Sequence, residues 1–185
     1  MKNFILIIIL FSIFSCKNNK STTTSSVADK QLQQAKCEVK EKRNRAGSEP
    51  IIIQTCVLRN YKFVNTGSPD HKGRYSYEYA VYQISNRKDV KVKNSDIFNS
   101  NVGKLEKLIN SKIAKELKEN RKDPETASCL AKVKDPKFSI NNMRISFETK
   151  NSIEFTVSFG LGEACMNVDE AIAVFPLKEV SAYLK

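Results

Sequence analysis

The 185-residue chain holds a single histidine, His71, and that scarcity removes whole classes of chemistry. A zinc site draws on several histidines or on closely spaced cysteine pairs, and the five cysteines here, at 16, 37, 56, 129 and 165, lie far apart. Neither a metal nor a cofactor is expected. A hydrolytic triad needs a base bonded to its nucleophile, yet His71 follows the turn Gly67-Ser68-Pro69-Asp70 with no G-x-S-x-G around it. Glycine is sparse too, at six residues. Gly160-Leu161-Gly162 leads into a cysteine loop instead of a helix start, so it reads as a tight turn and not a phosphate cradle. Glu163 with Asp169-Glu170 could carry acid–base glycoside chemistry in principle, but no pattern sets their separation. The expectation is a protein that is not an enzyme.

Long hydrophobic runs are also missing. The stretch from Phe4 to Phe14, apolar except for Ser12, is about 11 residues, and at about 1.5 Å each it covers roughly half of a bilayer's hydrocarbon core. Behind Lys2 it reads as an export signal over residues 1–15, to be excluded from the fold. No Ala-x-Ala cleavage site competes nearby, and Ile13-Phe14-Ser15-Cys16 resembles the lipobox of bacterial lipoproteins, with Phe14 bulkier than the usual occupant. The resemblance implies that the Cys16 thiol is lipidated and becomes the first residue of a membrane-anchored envelope protein. Residues 17–34, rich in Ser and Thr, cannot bury enough surface to fold and read as a tether. Surface-exported lipoproteins of the related type carry acids soon after the cysteine. Lys17-Asn18-Asn19-Lys20 carries none, so a periplasm-facing anchor is expected.

Negative charge is the third shortage. Twenty Asp and Glu face 31 Lys and Arg, a formal charge of +11 that becomes +10 once Lys2 is removed with the signal. Export takes the genome away as a partner, so no nucleic acid is expected. The basicity then points to anionic envelope material such as lipid headgroups or acidic glycans, or to solubility alone. Lys104, Lys107, Lys112, Lys115 and Lys118 alternate with Glu106, Glu116 and Glu119, as on a solvated helix face.

With Cys16 assigned to lipid, Cys37, Cys56, Cys129 and Cys165 form an even set suited to two disulfides in an oxidising compartment. Three pairings are possible and sequence alone does not choose. Cys37–Cys56 with Cys129–Cys165 is preferred only because each pair stays within one half of the chain.

Residues 35–185 fit one domain. Ile51-Ile52-Ile53 and the run from Thr55 to Phe63 read as one or two strands, and Tyr75, Tyr77, Tyr79 and Val81 alternate with polar residues as a half-buried strand does. Aromatics at period two usually serve packing, so the tyrosines are expected to form a cross-strand ladder more than a ligand platform. Val102, Leu105, Ile109, Ile113 and Leu117, with Leu108 beside them, define an amphipathic helix over about 101–122 that Asp123-Pro124 stops. Met143, Ile145, Phe147 and then Ile153, Phe155, Val157, Phe159 predict a hairpin turning at Lys150-Asn151. Ala171 to Phe175 predicts a buried strand, and Pro176 opens a short terminal helix. The fold class is α+β: an antiparallel or mixed sheet covered on one face by the long helix and the C-terminal helix.

The order of Asn65-Thr66-Gly67-Ser68-Pro69-Asp70-His71-Lys72-Gly73, the tyrosine strand, Val90-Lys91-Val92-Lys93-Asn94-Ser95-Asp96-Ile97-Phe98, the helix and the closing Val174-Phe175-Pro176-Leu177-Lys178-Glu179-Val180-Ser181-Ala182-Tyr183-Leu184 resembles the extracytoplasmic RsiV-type domain. That domain occurs in lysozyme-sensing anti-sigma factors, as an accessory region of peptidoglycan deacetylases, and in lipoproteins. The resemblance covers about Tyr61 to Leu184. The expectation is a binding role whose ligand is peptidoglycan, an anionic glycan or a cell-wall-active protein, with His71, Gly67, Asp70, Tyr75 and Tyr77 as candidate contacts. The resemblance implies a lysozyme-type partner, which the +10 charge would repel, whereas an anionic glycan fits that charge. Ser68-Pro69-Asp70 depart from the family's T-G-G-A-H-like turn. The alternative is an envelope hydrolase or a deacetylase-associated enzyme.

Overall fold

The computed structural model describes residues 34–43, 47–71, 73–135 and 137–185. The expected signal segment, Cys16 and the tether up to residue 33 lie outside the described residues. The described chain is α+β, with every strand pair antiparallel.

Five strands form one meander in sequence order: β1 (Lys36–Lys42), β2 (Ile51–Leu58), β3 (Tyr61–Pro69), β4 (Tyr75–Gln83) and β5 (Val90–Val92). A second meander joins β6 (Arg144–Ser146), β7 (Ser152–Ser158) and β8 (Glu170–Pro176). The expectation of a single sheet, antiparallel or mixed, is thus corrected to two sheets. Alternation reveals strands and their faces, but not which hairpins share a ladder, because that choice is made by tertiary packing.

Between the sheets run α1 (Val102–Asn120) and α2 (Pro124–Leu130), and α3 (Leu177–Val180) follows β8. On α1 the buried residues are Leu105, Ile109, Ile113 and Leu117, a three-and-four spacing, and the helix lies against β8. Leu108, expected beside that stripe, is 49% exposed. Asp123-Pro124 does more than end α1. The Asp123 side chain accepts from the Glu125 backbone N–H at 3.0 Å with Pro124 in the first turn, so the same dipeptide starts α2.

Buried residues from both sheets, α1 and α3 form one hydrophobic cluster. Phe63 of β3 meets Phe147, just past β6, edge-on at 5.0 Å, and within the second sheet Phe155 of β7 meets Phe175 of β8 at 6.0 Å. The outer edge of β8 is closed by α1, since Lys112 donates to the Val174 carbonyl and Glu116 accepts from the Ile172 N–H. The opposite outer strand, β1, is exposed along its whole length and alternates Lys and Glu around Cys37 and Val39, a composition that discourages pairing with another edge.

All four described cysteines are bridged, Cys37 to Cys56 and Cys129 to Cys165. Cys37 and Cys56 face each other across β1 and β2, and the second bridge ties α2 to the 3₁₀ segment Glu163–Val168. At the β2–β3 turn Arg59 takes φ 53°, uncommon for a residue with a side chain. Its guanidinium donates to the Lys185 carbonyl at 2.7 Å and to the Ser181 carbonyl at 3.3 Å, which fastens the turn to the last residues.

Candidate functional site

The inner face of the five-stranded sheet changes character row by row. Cys37, Cys56, Phe63 and Val81 stand opposite one another in register, and Cys56, Phe63 and Val81 are buried. The next row is Val39, Gln54, Asn65 and Tyr79, and the one beyond it Glu41, Ile52, Gly67 and Tyr77. These rows run past the core toward solvent. The β6–β7 hairpin supplies a facing wall through Arg144, Ser146, Phe147, Glu148 and Glu154, which leaves a cleft of about 350 Å³.

Gly67 shapes the floor. A Cβ at this position would lie 2.9 Å from Tyr77 Cε1 and 3.2 Å from Tyr75 Cδ1, so the missing side chain lets both rings lie close over β3. The rings stack with centroids 6.4 Å apart, and the Arg144 guanidinium lies 5.2 Å from the Tyr77 centroid. Arg144 also donates to both Glu170 carboxylate oxygens, at 3.0 and 3.5 Å, so its charge is already met. Tyr75 is half-buried and donates to the Pro50 carbonyl at 2.8 Å. Partial desolvation pushes its phenol pKa up, and the Glu49 and Glu41 carboxylates push the same way.

The tyrosine strand therefore divides. Val81 and Tyr79 serve the core, whereas Tyr77 is 56% exposed and forms a ledge on the cleft. The packing ladder expected for the whole strand holds at one end and fails at Tyr77.

Under the ledge runs a chain of amides. Gln54 Nε2 donates to the Phe147 carbonyl at 3.1 Å, and Asn65 Nδ2 donates to Gln54 Oε1 at 3.2 Å. Because the backbone carbonyl at 147 can only accept, it sets the orientation of both amides. The sequence of bonds ends on Asn65 Oδ1, a buried acceptor with no partner among the described residues. Across the cleft, Ser146 Oγ donates to Glu154 at 3.0 Å.

Asp70 and His71 belong to a separate depression of about 540 Å³, lined also by Ser48, Glu49 and Gly73. Asp70 holds the β3–β4 turn: its carboxylate accepts from Arg74 N and Arg74 Nε, both at 2.9 Å. His71 stands exposed in that turn. Of the five candidate contacts, then, Gly67 and Tyr77 line the cleft, Tyr75 packs beside them, and Asp70 and His71 stand elsewhere. Asp169 is occupied by Ser158 Oγ at 2.6 Å and by the Leu161 N–H, and Glu170 by Arg144. Among the described residues no group of His, Cys, Asp and Glu is placed to hold a metal ion.

A larger groove of about 1140 Å³ runs between α1 and Asp135, Lys137, Phe138 and Ser139. Its polar groups are largely spent on the protein itself. Asn110 exchanges two hydrogen bonds with the Phe138 backbone, Glu106 accepts from Ile140 N at 2.8 Å, and Arg121 donates to the Leu130 and Val133 carbonyls. The smaller cleft has the exposed ring, and its floor holds the unpartnered, buried Asn65 Oδ1; it is the better binding site on those grounds.

Sequence reading missed Gln54, Asn65, Arg144, Glu148 and Glu154. A signal for the first two was present, since both are amides at inward-facing positions of strands whose neighbours in that phase are Cys56 and Phe63. Comparison of the chain with protein-family models, with curated proteins and with solved structures found no match.

Proposed function

We propose that this chain is a binding module of the bacterial envelope, anchored through lipid on Cys16 on the periplasmic face, which captures an envelope glycan or protein in the cleft between its two sheets. The observation that carries this reading is the Tyr77 ledge: an exposed aromatic ring set against an amide floor and a carboxylate wall, the usual composition of a recognition cleft. The lipobox-like Ile13-Phe14-Ser15-Cys16 supports the anchor, two formed disulfides agree with an oxidising compartment, and the resemblance to the RsiV-type domain supports a cell-wall ligand. We read the role as binding without turnover: the one hydroxyl group among the described lining residues besides Tyr77 is Ser146, which donates to Glu154 at 3.0 Å, and His71, the single histidine, stands in another depression.

Retention of the mature chain on purified peptidoglycan and on envelope extracts tests the reading. Tyr77→Ala is expected to lower retention by about tenfold or more, as loss of a central aromatic anchor does, with no release of reducing sugar or acetate. Retention equal to wild type overturns the cleft as the site, and Tyr77-dependent turnover promotes the enzyme reading. Cys16→Ala is expected to move the chain from the membrane to the soluble fraction.

A further inference from the structure

The molecule is strongly basic, but the cleft is not. Glu148 and Glu154 line it, Glu41 stands in register with Ile52 and Gly67 on the same face, and Glu49 lies close to Tyr75. Arg144 is the cation of the cleft lining, and Glu170 already neutralises it through two hydrogen bonds. Arg43 acts on Tyr75 together with Glu41 and Glu49, but among the described lining residues the one cation, Arg144, is already paired, so an anionic ligand would meet the carboxylates first.

What the cleft offers instead is acceptors and an aromatic surface. Asn65 Oδ1 is an acceptor fixed in orientation by the Gln54–Phe147 bonds, and Glu148 and Glu154 add carboxylate oxygens on the facing wall. Leaving a buried acceptor unpaired is costly, and a ligand donor that meets it recovers that cost. The negative face of a tyrosine ring favours polarised C–H groups. Hydroxyl and amide N–H donors around a ring whose C–H face can stack describe an uncharged sugar.

We infer that the cleft recognises an uncharged, hydroxyl- and amide-bearing sugar ring, stacked on Tyr77 and donating to Asn65 and to the Glu148 and Glu154 carboxylates. This rests on the cleft being the binding site. Ile52 and Val39 supply the apolar side of the same pocket, and the lysines of α1 are not among its lining residues.

Three tetrasaccharides titrated into the mature chain by calorimetry test it: N-acetylglucosamine, its cationic de-N-acetylated form, and anionic galacturonate, each at 0.05 and 0.5 M NaCl. Over that range the Debye length falls from about 14 to about 4 Å, so charge-driven binding collapses while neutral recognition does not. The N-acetylglucosamine tetramer is expected to bind with less than about a twofold change between the two salts, and Tyr77→Ala or Asn65→Leu to weaken it about tenfold, with Tyr77→Phe retaining most of the affinity. Glu148→Gln with Glu154→Gln is expected to narrow the preference over galacturonate. Tyr77-dependent, salt-sensitive binding that favours either charged tetramer overturns the ligand class and leaves the cleft standing. Neutral binding indifferent to Tyr77→Ala overturns the cleft itself. If none of the three binds while retention on envelope extracts still depends on Tyr77, the sugar class falls and a protein ligand replaces it.

Discussion

Gly67 and Tyr77 face each other across β3 and β4, and their relation separates stability from recognition. Gly67 does not take a positive φ, so alanine fits its backbone, and the atom a new Cβ would strike belongs to the mobile end of an exposed ring. Tyr77 can swing away. Gly67→Ala is therefore expected to cost about 1 kcal/mol in urea unfolding, at the low end of overpacking penalties, while weakening ligand binding as severely as Tyr77→Ala. A loss of several kcal/mol with binding intact would reverse the assignment of Gly67 from ledge to core. Tyr79 behaves differently. Burial holds its phenol well above the usual 10.0, and its hydroxyl donates to Asn94 Oδ1 at 2.8 Å, whose amide in turn serves the Ile140 and Met143 carbonyls. The unfolded chain releases this proton near pH 10 and the folded chain does not, so the unfolded state binds fewer protons above that pH. The contribution of Tyr79 is full below pH 10 and declines as pH rises beyond it. Stability of Tyr79→Phe measured from pH 8 to 11 is expected to fall less steeply than that of wild type, and equal slopes would remove Tyr79 from the alkaline transition.

At the level of elements, much was legible because it was periodic. The strands around Tyr75–Val81, Ile153–Val157 and Ala171–Phe175 and the 3.6-residue stripe of α1 were visible in spacing alone, and the helix ends differ from expectation by about two residues, the ordinary uncertainty of such boundaries. What periodicity could not show was assembly. The division into two sheets depends on which faces meet, and the cleft exists only because that meeting brings Arg144, Glu148 and Glu154 to Tyr77 from a distant part of the chain. Asp123-Pro124 ends the long helix as expected, and what its spacing did not show is that the same residues cap the next one. The disulfides carry a graded prediction at this scale. The Cys129–Cys165 bridge closes 36 residues and Cys37–Cys56 closes 19, so loop-closure entropy predicts losses of about 4 and about 3 kcal/mol respectively when each pair is replaced by alanine. Denaturant midpoints of the two double variants check the order. A larger loss from the β1–β2 pair would mean that β1 depends on its bridge for docking, beyond any entropic effect.

For the molecule as a whole, the instructive quantity is where charge resides. The acids of α1 are directed to the protein's own groups: Glu106 to Ile140 and Ser139, Glu116 to the edge of β8, Glu119 to Lys122 at 2.7 Å. Lys104, Lys107, Lys115 and Lys118 remain exposed on the helix. Those four lysines share one face of α1, while Glu148 and Glu154 of the β6–β7 hairpin line the cleft. Replacing those four lysines with glutamine lowers the formal charge by four. It is expected to change stability by less than about 0.5 kcal/mol per site, the usual range for exposed positions, and to leave neutral-sugar affinity unaltered while reducing adsorption to anionic vesicles. A parallel loss of sugar affinity would show that the basic face reaches the cleft.

Arg59 joins the β2–β3 turn to residues more than a hundred positions away. Each meander joins neighbours in sequence and can close locally and early, as low-separation contacts do. The bonds from Arg59 to Ser181 and Lys185, with the Lys185 N–H to the Ile97 carbonyl and the bridge between Phe98 and Leu184, cannot form until the final residues are present. In a chain delivered N-terminus first the Arg59 guanidinium precedes its acceptors by more than a hundred residues, so residues 181–185 are what tie the β2–β3 turn to the segment around Phe98.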